Sequence, residues 1–398
     1  MVLLAVVLMP LRAKAQLTEP DSVTVSLVTY YPGSEIYELF GHTEVRVTDS
    51  NGLDAYFNYG VFDFNAPNFV FRFVSGKTDY MCVGIPGNRY VGHFTPGRKA
   101  VEQVLNLTPD EAQEVRRRLM RNIMPDSATY RYKYVSDNCA TRPRDIIEAV
   151  LGSKLRWPAD SVKSTCRQVM AHYNRNYPWE QFGIDIALGC GLDTVLTARQ
   201  RMFVPVLLMK AAEGATIDRN GHQEPLVKDA QVVNPGSDDG LALPPTAWPL
   251  TPMAVSLLLM AVAAGFSYRD IRHHRSTRWL DVTLWTVAAV AGGLVWFLIF
   301  ISTHEATSPN VNGLWLHPLY ALPAVAVWFK GSRRLMTGAF IAMIAAIAVA
   351  AACFATGVQA ANAAFWPLMA TLALRAAVNL AVARSAANQQ ETTKTTKK

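Results

Sequence analysis

The sequence predicts an α+β domain followed by an all-α membrane domain. Three observations carry this. Hydrophobic residues make up 51% of the 398-residue chain and charged residues only 17%, too apolar a balance for a soluble protein of this length. The first half alternates apolar and polar residues at strand spacing, whereas beyond about residue 245 the composition changes abruptly to long apolar segments. The Lys and Arg residues of that second half gather in alternate loops. The formal charge of +7 is spread over loops between apolar segments, so it forms no nucleic-acid footprint.

The chain opens on a short apolar run, Val2 to Pro10, followed by Ala13-Lys14-Ala15, which reads as a signal peptide over 1–15 with an A-x-A cleavage site. An uncleaved anchor is the other reading. An exported domain then covers 16–245. Strands are expected over 23–28, 44–47 and 55–59, with Asp49-Ser50-Asn51-Gly52 as the turn between the last two. Further strands are expected over 69–74 and 131–135. Thr108-Pro109-Asp110-Glu111 combines an N-cap, a first-turn proline and a capping-box glutamate. The helix it starts runs to about Asn122, with Val115, Leu119 and Met120 inward. Its arginines, Arg116, Arg117, Arg118 and Arg121, read as a solvated face. A polar Gly/Asp/Pro-rich linker is expected over 220–249.

Five spans follow, at about 248–266, 282–301, 314–329, 336–357 and 363–383, the third short and interrupted by Pro318 and Pro323. Basic residues lie after the first span (Arg269, Arg272, Arg275, Arg278), after the third (Lys330, Arg333, Arg334) and at the C-terminal end (Arg384, then Lys394, Lys397 and Lys398 in the tail of 386–398). The positive-inside bias puts these in the cytoplasm and the large domain outside, as expected of a multi-pass bacterial inner-membrane protein with a periplasmic domain. Within the fifth span, Arg375 reads either as a snorkelling cation or as a functional charge beside Asn379.

The chemistry-bearing phrase is Asp137-Asn138-Cys139-Ala140-Thr141-Arg142. Asp137 and Asn138 are good N-cap residues, and Ile146, Ile147, Val150 and Leu151 give the following helix an apolar face. Unpaired N–H groups at a helix mouth favour a thiolate, so Cys139 is a candidate nucleophile. The other reading is a structural thiol or a disulfide, since Cys82, Cys139, Cys166 and Cys190 all lie in the exported domain. His42, after Gly41 and before a strand, is the candidate base. Asn58 is the first choice to orient the imidazole, and Asp63 the second. A second polar cluster sits at the membrane: His304, Glu305, Asn310, Asn312, Trp315 and His317. Here His304, Asn312 and Trp315 are candidate substrate-binding residues, the bland reading being a connector with an aromatic anchor. No phosphate loop, zinc-ligand spacing, G-x-S-x-G elbow or internal repeat is present.

Several of these stretches resemble one family. Tyr31-Pro32-Gly33, the run from Phe40-Gly41-His42 to Val47, Phe57-Asn58 to Phe64, Glu102 to Thr108 and the Cys139 phrase resemble the Lnb-type periplasmic domain, and Leu188-Gly189, Asp193, Thr197 and Phe203-Val204-Pro205 fit its later part. His304 to Pro318 is similar to the family's membrane region. The resemblance implies lipoprotein N-acyl transfer, with a membrane phospholipid as donor and a diacylated lipoprotein as acceptor, and no metal or soluble cofactor. It implies a permuted papain-like fold, related to NlpC-type domains and lecithin:retinol acyltransferase, with Cys139 as nucleophile and His42 as base. The third catalytic group is not fixed by the motif, and Cys190 stands where a small non-thiol residue is expected. The rival readings are a membrane-anchored cysteine peptidase or amidase acting on cell-wall peptide, and a non-catalytic envelope protein with its cysteines in disulfides.

Overall fold

A computed structural model describes residues 22–90, 96–159, 161–241, 243–329 and 333–395. The expected signal peptide lies outside them, as does the end of the tail.

The α/β domain is built on a seven-stranded antiparallel sheet. Its strands are β1 (Thr24–Tyr30), β2 (His42–Thr48), β3 (Asp54–Val61), β4 (Asp79–Pro86), β5 (Ala100–Leu105), β6 (Thr129–Arg131) and β7 (Val227–Asn234), in the order β7-β5-β1-β2-β3-β4-β6. The first three strands fall where alternation predicted them. The turn before β3 is held by Asp49, whose carboxylate accepts from the N–H groups of Asn51 and Leu53, each at 2.9 Å.

Two sheet expectations fail. Phe69–Val74 forms a helix, α1, although its aromatic and β-branched residues favour a strand. Helical spacing stacks Phe69 on Phe73 and lets the segment lie across other rings, so packing overrides propensity. The segment 131–135 leaves the sheet after Arg131, because Lys133 and Asp137 pair across a tight turn instead. The expected linker is also partly sheet: His222–Pro225 pairs with Thr216–Arg219, and β7 pairs with β5.

Helices α2 (Pro109–Asn122) and α3 (Thr141–Leu151) cover the sheet. Thr108 and Glu111 form the predicted capping box. Val115, Leu119, Ile146, Ile147 and Leu151 pack with Leu27, Val45, Val47 and Phe57 in one core, while Met120 is exposed rather than inward. The arginines of α2 are ion-paired on its outer face, Arg116 to Asp49 and Arg117 and Arg118 to Glu114. Three longer helices follow in the domain: α4 (Cys166–Tyr173), α5 (Pro178–Ala187) and α6 (Pro205–Glu213).

Among the described residues, the membrane half has four helices long and apolar enough to cross a bilayer. They are α7 (Pro252–His273), α8 (Arg278–Phe300), α9 (Arg333–Ala355) and α10 (Phe365–Thr395). The expected third span is not one continuous helix. It breaks into Asn312–Trp315, a 3-10 turn at Pro318–Tyr320 and Ala321–Ala326, as Pro318 and Pro323 deny the backbone its intrahelical donors. This broken segment starts beside the α/β domain and ends near Phe329, which lines a cavity with Arg275, Arg278 and Asn379 at the opposite end of the bundle.

Arg375 does not snorkel. It is wholly buried and donates to Asp281 at 2.8 Å, Asp270 at 2.7 Å and Ser267 at 3.0 Å, tying α7, α8 and α10 together. Asn379 adds a bond to Asp281 at 2.9 Å. Each nitrogen of the guanidinium thus has a partner, and two of the three partners are carboxylates, which is what keeps such a charge tolerable inside.

Candidate active site

Gly41 bends the chain into β2. Its φ is +81°, and a Cβ there would lie 2.4 Å from the Tyr30 carbonyl oxygen, so only glycine fits. β2 then opens on His42. Two residues on, and therefore on the same face, comes Glu44, which pairs in register with Asn58 on β3. His42 Nε2 donates to Asn58 Oδ1 at 3.0 Å and lies 3.7 Å from Glu44 Oε1, inside a site where Glu44 is completely buried.

Cys139 precedes α3. Asn138 organises the helix mouth: its Oδ1 accepts from the N–H groups of Ala140 and Thr141, both at 2.9 Å, and its Nδ2 donates to the carbonyls of Tyr134 and Phe203. Asp137 instead takes Arg142 in a two-pronged ion pair at 2.6 and 2.8 Å. Thus Asn138, not Asp137, serves as the cap.

The electrostatics single out this thiol. Burial would raise the Cys139 pKa, but the His42 charge, its hydrogen bond, the Thr43 N–H and the Tyr132 hydroxyl together hold it below the ordinary thiol value. Burial would likewise depress His42, yet the thiolate, Glu44 and the Asn58 carbonyl lift it to about 9. Cys82 and Cys166 move the other way, pushed up by burial to about 12, and Cys190 is also raised. All five cysteines are free, so the disulfide reading of Cys139 is not met.

Of the residues expected here, His42, Asn58 and Cys139 come together. Asp63 does not; its carboxylate accepts from Asn65 N in a surface turn. Glu44 and Tyr132 were missed. Period-two spacing from His42 was the available signal for Glu44, whereas nothing in the sequence marks the Tyr132 hydroxyl.

The membrane cluster lies against the α/β domain, but its members hold protein. Asn312 is completely buried; its Nδ2 donates to the Asp185 carbonyl at 2.7 Å and its Oδ1 accepts from Trp315 Nε1 at 2.8 Å. Trp315 is buried in the core of the helical domain, its ring 5.4 Å from that of Phe365. His304 Nε2 contacts the Phe73 carbonyl oxygen at 2.5 Å. Glu305 accepts from Val135 N at 3.1 Å, from Ser136 N at 3.3 Å and from the Ser136 hydroxyl, gripping the turn that leads into Cys139. Among the described residues, no three His, Cys, Asp or Glu side chains gather as metal ligands would.

Fold and site together define a protein with a thiol–imidazole pair in an α/β domain, fastened to a helical membrane domain. A family model of the Lnb N-terminal periplasmic domain matches residues 12–168, and one of the Lnb transmembrane domain matches residues 245–386. The chain belongs to the Lnb-type membrane proteins, with the N-terminal domain exported to the periplasm. No curated protein and no solved structure matches it.

Proposed function

We propose that this chain is a lipoprotein N-acyltransferase working through a thioester on Cys139. The thiolate attacks an ester carbonyl of a membrane phospholipid. Protonated His42 gives its proton to the departing lysophospholipid oxygen, leaving the acyl chain on sulfur. The α-amine of an S-diacylglyceryl-cysteine at a lipoprotein N-terminus then attacks the thioester. His42 takes the amine proton, the amide forms and the thiolate returns. Asn58 holds the imidazole in the required orientation, and Tyr132, bonded to the sulfur, lowers the cost of its charge. No cofactor enters any step.

The observation that carries this reading is the grip of Glu305 on Val135 and Ser136, which ties the membrane domain to the loop bearing the thiol. A peptidase acting on wall peptide has no use for such a tie; one anchoring helix would serve it. We read the α/β domain as permuted papain-like, from the order of strand-borne histidine and helix-mouth cysteine. The broken segment counts as a third crossing of five, putting the α/β domain in the periplasm and the C-terminus in the cytoplasm of a bacterial inner membrane.

Mass spectrometry of lipoprotein N-termini tests the function. Cells carrying the active protein are expected to show N-acylated termini, and cells carrying Cys139→Ala at equal protein level only free amines. N-acylation persisting with Cys139→Ala as the sole copy rules the mechanism out.

A further inference from the structure

A series of aromatic rings leads from α1, which packs on the end of α8, to Tyr132 beside the thiol, and apart from Tyr132 the chemistry above leaves it unused. In α1, Val70, Phe71 and Phe73 are 72%, 62% and 45% exposed, and Phe64 in the preceding loop is 61% exposed. So much contiguous apolar surface on one short segment marks a contact surface. It sits at the end of a membrane helix. The Phe71 ring lies 6.0 Å from Phe297 in the last turn of α8. Ser302 Oγ donates to the Val74 carbonyl at 3.0 Å, and Thr303 N donates to the Ser75 carbonyl at 3.0 Å. Phe300 and Ile301, beside these residues, are themselves 70% and 57% exposed, so the exposed apolar residues of α1 continue those at the end of α8.

From this edge the rings lead inward. Phe73 stacks on Phe69 at 5.9 Å, and Phe69 on Phe62 at 5.7 Å. Phe62 lies 4.9 Å from Tyr80, and Tyr80 stacks on Tyr132 at 4.6 Å. Tyr132 carries the hydroxyl bonded to Cys139.

We propose that α1 and Phe64 insert into the leaflet on the catalytic side, and that the rings from Phe73 to Tyr132 form the path by which a phospholipid acyl chain reaches Cys139 Sγ. The path part rests on the acyl-transfer reading; the insertion part does not. A lining of rings whose only polar atoms are the Tyr80 and Tyr132 hydroxyls suits a hydrocarbon chain better than a peptide, whose backbone needs a hydrogen-bond partner at nearly every residue. Continuity with α8 fixes the occupant as bilayer lipid, because a helix packed on the last turn of a membrane span lies at the hydrocarbon edge.

The test uses the full-length protein in vesicles of phosphatidylethanolamine and phosphatidylglycerol. The photoreactive residue p-benzoylphenylalanine replaces Phe64, Phe71, Tyr80 or, as control at the opposite sheet edge, Val232. Illumination is expected to add the mass of a phospholipid at Phe64, Phe71 and Tyr80 but not at Val232. Adducts at Phe64 and Phe71 no stronger than at Val232 overturn insertion, and absence of an adduct at Tyr80 overturns the path. A second arm uses Val70→Ser with Phe71→Ser, exposed positions whose change leaves the core intact. Transfer of a labelled acyl chain onto Cys139 is expected to fall about tenfold or more as apolar contact with lipid is lost, while alkylation of Cys139 by iodoacetamide in detergent stays at the parent rate. Undiminished acyl transfer in that variant overturns the inserted α1 as the entrance to the path. If the parent protein never acylates Cys139 although Phe71 cross-links to lipid, the acyl-transfer reading falls and membrane insertion stands.

Discussion

At the scale of single residues, the site is a charge pair held by its neighbours. Because His42 is raised to about 9 and Cys139 is lowered, the pair favours the thiolate–imidazolium form over a wider pH range than a free thiol and a free imidazole would. The rate of Cys139 alkylation by iodoacetamide is therefore expected to reach half its maximum at a lower pH than that of a free thiol, whose half-point lies at about pH 8.5. His42→Ala is expected to move that half-point up, and Asn58→Ala to move it up by less. A half-point in the parent protein at or above the free-thiol value would mean that no ion pair exists. Stability follows the same linkage. The raised imidazole stabilises the fold fully below its unfolded value near 6.5, and that contribution is lost as the pH climbs through about 9. His42, Cys139 and Asn58 were legible because each belongs to a local phrase: a glycine before a strand, a capping pair before a helix, an amide on the next strand. Tyr132 was not, since an aromatic residue near a strand reads as packing until a sulfur is found at its hydroxyl.

At the scale of elements, the segment 303–312 binds the domains together. Gly189 shows how tightly: a Cβ there would lie 1.9 Å from the Pro309 carbonyl oxygen. Around it Arg167 holds Asp185 and Asp193, each at 2.8 Å, and Asn362 reaches down from before α10 to Asp185, also at 2.8 Å. Glu305→Ala is expected to slow labelled-phospholipid transfer to Cys139 by about tenfold, since losing bonds to a charged acceptor loosens the turn before the thiol. Glu305→Gln keeps an acceptor oxygen and is expected to lose less. Equal, parental rates in both variants would show that the turn holds itself. The polar character of this segment was plain in the sequence, but its role was not, because a junction clamp and a ligand site use the same amides. The strand expected over Phe69–Val74 failed for a related reason: local preference could not register the rings and the α8 terminus that hold it as a helix.

At the scale of the whole molecule, the proposed five crossings, made by four continuous helices and the broken segment, satisfy the charge bias of the loops. Reporters that are active only outside the cytoplasm test this when fused after successive truncations. Fusions after Ser276 and after Lys398 are expected to be inactive, and fusions after Asn310 and after Gly357 active. Inverse activities would put Cys139 in a reducing compartment and overturn the topology. The division into a sheet-based domain and an apolar bundle was readable from composition alone. Their shared core was not, for it joins α5 residues Phe182 and Ile186 to Trp315 and Phe365 across great distances in sequence. That merger has a practical side. A stop codon between Asn234 and Pro252 would not release a working soluble fragment. It would bare the underside of α5, leave Asp185 without Asn362, and strip Ser136 of the carboxylate that steadies the thiol loop. The smallest unit worth purifying, screening or evolving is the intact chain in lipid.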